Sequence, residues 1–213
     1  MDSEQAGVLL EPVPSTASSR EHPNTLALSV ARQVWRHLFE IYFVFFVTLA
    51  VFPTVLVKGT PFRHDYTLNT TMVDASGAVL EVRLANLLAI FLNFAVSASA
   101  GVLLANYIQW PSHRYLSVGV LSRFVFIPIF ISFAFSNDGG EPEFVSNKLA
   151  FALTNTAMAL THGHMSSLAA MYAPRGVGDP RDAGLVGMMV SVSLVAGVAS
   201  GIAFAFVISH FMP

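Results

Sequence analysis

Five apolar runs, at about 35–57, 84–109, 115–136, 149–172 and 184–209, each match the length a helix needs to cross a bilayer, about 20 mostly apolar residues. Repeated five times in 213 residues, that length leaves too little polar chain to wrap a water-soluble core. Composition agrees: 54% of the residues are hydrophobic and 11% charged, with a mean hydropathy of +0.61. Lipid offers no partner to a free N–H or C=O, so runs of this length satisfy their backbones as α-helices. An outer-membrane barrel would show short alternating segments instead. The expectation is an all-α integral membrane protein with five transmembrane helices at these positions.

Several classes of function drop out early. A net charge of −2 supplies no basic surface for nucleic acid. The absence of cysteine excludes disulfides and thiolate metal sites. No nucleophile paired with a base, phosphate-cradling glycine loop or pair of carboxylates occurs at depth, so the chain does not read as an enzyme and no cofactor is expected. Residues 1–33 are polar, contain Pro-Val-Pro-Ser-Thr-Ala-Ser-Ser and lack a signal-peptide pattern; they read as a disordered cytoplasmic tail ahead of a five-helix domain over 34–213.

Orientation follows from the loops. With the N-terminus inside, Arg20, Arg32, Arg36, Arg114, Arg175 and Arg181 fall on the cytoplasmic side, against Lys58, Arg63, Arg83 and Lys148 outside. The acidic turn Asn-Asp-Gly-Gly-Glu-Pro-Glu after the third run falls outside, as does Asn69-Thr70-Thr71, a glycosylation tripeptide that makes Asn69 a candidate acceptor. These signals place the C-terminus outside the cell or in a lumen. The plasma membrane is the expected location, with an endomembrane as the alternative.

Ionisable and polar groups inside spans are costly, and each is a functional candidate. Arg36 and Glu40 are four apart near the start of the first run and share a face on which they can pair. Arg123 lies about 10 Å along the third span, too deep to reach the surface fully, and is expected to bond to a neighbouring helix or its carbonyls. Pro128, five residues on, cannot donate to the carbonyl of Phe124 and bends the helix. A structural or gating anchor and direct substrate contact are both open for Arg123. In the second span Asn86, Asn93 and Ser97 share one face, and Ser97, Gly101 and Ala105 form a small-residue ridge beside it; close packing and a polar pathway lining both fit. Asn155 and Thr161-His162-Gly163-His164 sit in the fourth span. The two histidines point about 200° apart on a helix, which rules out a shared metal. They read as imidazoles bonding across the bundle, with one facing a cavity, while Gly163 permits a close approach or a local break. The fifth span carries Gly187 and, at strict i, i+4 spacing, Ser193, Gly197 and Gly201, which form a packing face.

At this point the residues resemble a family. Arg123-Phe-Val-Phe-Ile-Pro128 is similar to the R-x-x-F-x-P signature in the ninth helix of equilibrative nucleoside transporters. The similarity extends to Phe52-Pro53, Phe91-Leu-Asn93-Phe94, Gly101, Trp110-Pro111, Thr161-His162-Gly163-His164 with Ser167-Leu168, Ala173-Pro174-Arg175, and the glycines Gly187, Gly197 and Gly201, over about residues 34–210. The resemblance implies an alternating-access carrier of nucleosides and nucleobases of the major-facilitator type, with the five spans as its helices seven to eleven. It also implies that Arg123 ties helices together on the cytoplasmic side. The sequence departs from the family at Ala98 and Val102, which stand where an Asp and an Arg would hold the ribose. This leaves Asn93, Ser97, Asn155, His162 and His164 as candidate pathway groups. Five helices form one wall of such a carrier, so the expected partners are the bilayer, a nucleoside or similar small polar solute, and an N-terminal transporter half or full-length relative. Alternative roles are a non-transporting regulator of full-length relatives and a carrier of another polar or cationic solute.

Overall fold

The computed structural model describes residues 23–52, 70–73, 79–82, 84–135, 148–179 and 182–211. In chain order these form α1 (Pro23–Val51), a short hairpin of β1 (Thr70–Val73) and β2 (Val79–Val82), and α2 (Leu84–Tyr107). The third span follows in two pieces, α3 (Leu116–Ser122) and α4 (Phe126–Phe135), joined by a 3-10 turn at Arg123–Val125. The long helices α5 (Lys148–Tyr172) and α6 (Ala183–Phe211) complete the bundle. The hairpin, antiparallel with Thr70 opposite Val82, lies outside the spans and was not expected from the sequence. Its β-branched residues suit a pleated pair. Asn69 and the acidic turn after the third span lie outside the described residues.

Two boundaries differ from the sequence reading. The first helix begins at Pro23 rather than Trp35, so residues 23–33 are helical and not part of a disordered tail. Proline suits a first helical position because its φ is preset and no N–H is lost. The added turns are held by packing: Val30 and Val34 are buried against Ala173 and Val186. The third span is interrupted at Arg123–Val125, in the turn before Pro128. The pyrrolidine ring crowds the Phe124 carbonyl and leaves it without its usual donor, so the distortion falls one turn upstream of the proline itself.

Four spans, Thr25–Val51, Leu88–Tyr107, Leu116–Phe133 and Ala183–Ile208, are long and apolar enough to cross a membrane. The helix of the fourth expected span, α5, has 25 residues, length enough to cross, but Asn155, Thr156, Thr161, His162, His164, Ser166 and Ser167 dilute its apolar character. Its position explains the difference. It packs against α1, α2 and the third span, and most of its residues are buried or half-buried. A helix enclosed by other helices does not need a lipid-compatible surface.

Helices in lipid gain little from apolar burial against one another, so close backbone packing holds the bundle together. On one side α6 lies against α1: a Cβ on Gly197 would stand 2.4 Å from the Tyr42 carbonyl oxygen, and one on Gly201 2.7 Å from that of Phe46. On the other, α2 and α5 interlock. A Cβ on Gly101 would fall 2.2 Å from the Leu160 oxygen, and one on Gly163 1.9 Å from the Ala98 oxygen. Ser97 and Ala105 are buried on the same ridge as Gly101. Gly187 differs, since a Cβ there meets nothing within 4 Å; it is not part of the α6 packing face. Gly187→Ala should therefore raise helix stability by about 0.5–1 kcal/mol, whereas Gly197→Ala should lower the melting midpoint, and a thermal melt of the two variants in detergent checks the contrast.

Candidate functional site

Three polar side chains meet in the bundle interior. Arg123, 1% exposed, donates from Nη2 to Thr48 Oγ1 of α1 at 2.8 Å and from Nη1 to Thr161 Oγ1 of α5 at 2.9 Å. Among the described residues no carboxylate pairs with it, and its buried Nε has no hydrogen-bond partner. The arginine thus joins α1, the third span and α5 through hydroxyls, where the sequence reading expected a helix partner or carbonyls. Thr161 entered the sequence reading only as part of the Thr161-His162-Gly163-His164 run, and Thr48 not at all. Thr48 did carry a signal, as the single aliphatic hydroxyl within Ile-Tyr-Phe-Val-Phe-Phe-Val-Thr-Leu-Ala-Val.

The Thr48 hydroxyl has three neighbours and only one proton. Its oxygen lies 2.8 Å from the Val44 carbonyl and 2.9 Å from His162 Nδ1, besides Arg123. Donation to Val44 and acceptance from Arg123 and His162 use one donor and two lone pairs, the full capacity of a hydroxyl. This bookkeeping puts the His162 proton on Nδ1. Nε2 is then an acceptor; it has no partner among the described residues and is not among the buried unpaired atoms, so it is accessible. The imidazole lies edge-on to Phe45 at 4.9 Å between ring centroids and 5.8 Å from Phe94. Phe94 stacks on Phe52 at 4.6 Å, and Phe52 meets Phe91 edge-on at 4.7 Å. An aromatic row from α1 and α2 therefore flanks one polar acceptor near the middle of α5.

The remaining predicted groups divide between this face and the scaffold. Half-buried Asn93 bonds Thr156, Nδ2 to Oγ1 at 3.1 Å, on the α2–α5 seam. Asn155 is buried with Nδ2 3.5 Å from the Ile90 carbonyl and with Oδ1 unpartnered among the described residues. Ser97 is buried in the seam. His164 points away from His162: its Nε2 lies 2.7 Å from the Trp110 carbonyl, an acceptor, so Nε2 must carry the proton. Tyr172 Oη reaches the carbonyls of Gln109 and Pro111 at 3.1 and 3.3 Å. These two side chains cap the connection between α2 and α3, which makes His164 a scaffold residue in this arrangement. Ala98 and Val102 lie against Gly163, the nearest atoms to its Cβ position being Ala98 O and C and Val102 N. The two positions where the resemblance places an Asp and an Arg thus pack against the residue that follows His162.

The expected Arg36–Glu40 pair does not form. Glu40 is buried and bonds His37 Nδ1 at 2.7 Å and the Ser117 hydroxyl at 2.5 Å. Arg36 turns instead to the Arg114 carbonyl and Ser117, both at 3.3 Å. Spacing allowed the pair, but the third span brought a closer donor to the carboxylate. Among the described residues no group of three or more His, Asp or Glu converges as a metal site would require.

A bundle of long apolar helices with a buried cationic tie and an aromatic-flanked polar face defines the chain as a multi-pass integral membrane protein. The family model described as "Nucleoside transporter" matches residues 6–210, and the chain belongs to that family. Curated relatives include equilibrative nucleoside transporter 1 of Rattus norvegicus, 26% identical over 205 residues that cover 92% of this chain and 41% of the relative. Equilibrative nucleoside transporter 2 of Mus musculus is 26% identical over 92% of this chain and 40% of its own length, and its Homo sapiens counterpart 26% over 84% and 36%. The chain therefore spans about two-fifths of the length of these relatives, which are named as transporters.

Proposed function

We propose that this chain forms one wall of a facilitative nucleoside carrier that works by alternating access, with the opposing wall supplied by an N-terminal half or a full-length relative. The observation that carries the reading is His162: an open acceptor nitrogen at mid-depth, between Phe45 and Phe94, beside the positions where family members hold a charged pair. Aromatic rings accept a nucleobase by stacking, and the imidazole acceptor suits a ribose hydroxyl or a base N–H. Asn93 and Thr156 provide further amide and hydroxyl groups on the adjoining seam. In this role His162 supplies, as a neutral acceptor, a hydrogen bond that Ala98 and Val102 cannot make. Substrate sites of such carriers form at mid-membrane between two repeats, one of which rocks against the other. The Arg123 tie keeps three helices moving as one body during that motion. The N-terminus is assigned to the cytoplasm and the C-terminus to the outside by the arginine bias of the loops, with the plasma membrane as the location.

The test is uptake of labelled adenosine and uridine in nucleoside-transport-deficient cells expressing the chain alone and with the N-terminal half of a relative, surface delivery being measured in parallel. Saturable uptake is expected only with both halves. His162→Ala should weaken apparent affinity about 3- to 10-fold, the effect of one lost hydrogen bond, and His162→Asn, which keeps a hydrogen-bonding side chain there, should restore part of it. Delivered and associated halves that take up no nucleoside would overturn the reading in favour of a regulatory chain or a carrier of another solute.

A further inference from the structure

A polar cavity separate from the His162 face lies at the far end of α5 from the hairpin side, about 15 Å along the helix from His162 at 1.5 Å per residue. Its volume is about 420 Å³, and His37, Gln109, Ser112, His113, Tyr172, Arg175 and Gly176 line it. Three segments separated in sequence meet here: the early turns of α1, the connection between α2 and α3, and the end of α5. We propose that this cavity binds a phosphate group, delivered by an anionic phospholipid headgroup of the surrounding leaflet.

The first support is the chemistry of the lining. No carboxylate is among the described lining residues; Glu40, next to His37, is buried and already bonded to His37 and Ser117. Arg175 is exposed at the rim and held in place, its Cζ 5.6 Å from the Tyr172 ring centroid and its Nη1 donating to Gln109 Oε1 at 3.2 Å. That contact uses one of five guanidinium N–H donors, and the rest of the planar fork suits a phosphate. His113 and the Ser112 side chain add exposed donors beside it. In the adjoining layer the Arg36 guanidinium donates to the Arg114 carbonyl, which brings a further cation to this end of the bundle.

The second support is depth. Trp35, Trp110 and Tyr115, at 61%, 75% and 68% exposure, surround this end of the bundle, and exposed Trp and Tyr mark the level of the headgroups. A cavity at that level meets lipid phosphates at high local concentration, whereas a soluble phosphate would have to reach it from the aqueous side. Basic clusters at such a level recognise anionic lipids.

The 213-residue chain, purified in a neutral detergent, tests this by its melting midpoint with dioleoyl phosphatidic acid, with dioleoyl phosphatidylcholine and with inorganic phosphate. Phosphatidic acid should raise the midpoint and phosphatidylcholine should not. Arg175→Gln should weaken the apparent affinity for phosphatidic acid about tenfold, the effect of losing a charge-assisted bond. His113→Ala should weaken it less, and Arg32→Gln, which removes an exposed charge of the same helix end without touching the cavity, should leave it unchanged. An unliganded midpoint equal to that of the unaltered chain shows that Arg175→Gln still folds; if it does not, the exposed His113→Ala carries the test. A rise with inorganic phosphate that Arg175→Gln abolishes, without a lipid effect, would keep the phosphate site and make soluble phosphate its source. Equal lipid responses in the Arg175→Gln, His113→Ala and unaltered chains would overturn the proposal.

Discussion

Gly163→Ala is expected to separate α2 from α5 and to cost more than the usual penalty for one extra methyl group in a packed core. The added carbon would stand 1.9 Å from the Ala98 carbonyl oxygen, 2.8 Å from its carbon and 3.0 Å from the Val102 nitrogen. All three are backbone atoms, so no rotamer change relieves the contact and the helices must move apart. Overpacking that side chains can absorb costs about 1–3 kcal/mol; here a loss of at least about 3 kcal/mol is expected, with broad or aggregated elution from a size-exclusion column in detergent. Because the same seam holds the Asn93–Thr156 contact and places His162 beside Phe94, any folded remainder should also lose uptake in the two-half assay. A monodisperse Gly163→Ala protein with an unshifted melt would show that α2 and α5 are not in backbone contact.

Arg123→Met should separate stability from function. Arg123 is a buried cation with no carboxylate partner among the described residues and with its buried Nε unpartnered. Replacing such a group by an apolar side chain of similar volume is often neutral or stabilising, because the cost of desolvating the charge disappears. The melting midpoint should hold or rise. Uptake should nevertheless fall about tenfold or more, since Thr48, Thr161 and His162 lose the group that keeps α1, the third span and α5 in one arrangement. Thr48→Val makes the opposite perturbation: it keeps the shape and leaves two buried donors, Arg123 Nη2 and His162 Nδ1, without their acceptor, at a cost of about 1–3 kcal/mol. Melts and uptake of the two variants side by side check this. A stable Arg123→Met chain with full uptake would reduce the arginine to a packing role.

The polar groups of α5 show how far sequence reading reaches. That His162 and His164 face different ways follows from helical geometry alone, and the structure sends one to Thr48 and the other to the Trp110 carbonyl. Which of them meets the aromatic row could not be read from spacing, because it depends on the rotation of α5 about its own axis. The glycines of α6 show what spacing does decide. Gly187 lies outside the i, i+4 run of Ser193, Gly197 and Gly201, and of the three glycines only Gly197 and Gly201 find α1 beneath them. Arg36 and Glu40 had the right spacing to pair, and Ser117 and His37, placed by folding, took the carboxylate instead.

The sequence by itself determined the solvent, the order of the long helices and the small residues available for close approach, because each of these is set by local length, hydropathy and side-chain volume; that α5 is too polar to count as a span like the other four follows from its enclosure by them. The break at Arg123–Val125 was signalled by Pro128 for the same reason, a clash within one helical turn. Only the tertiary structure decided which polar atoms meet. Thr48 and Arg123 are 75 positions apart, and Thr48 and His162 are 114 apart. Such meetings depend on how each helix is rotated and how deep it sits, and those are fixed by the interlock of backbones at Gly101, Gly163, Gly197 and Gly201, a property of helix pairs that no single helix carries.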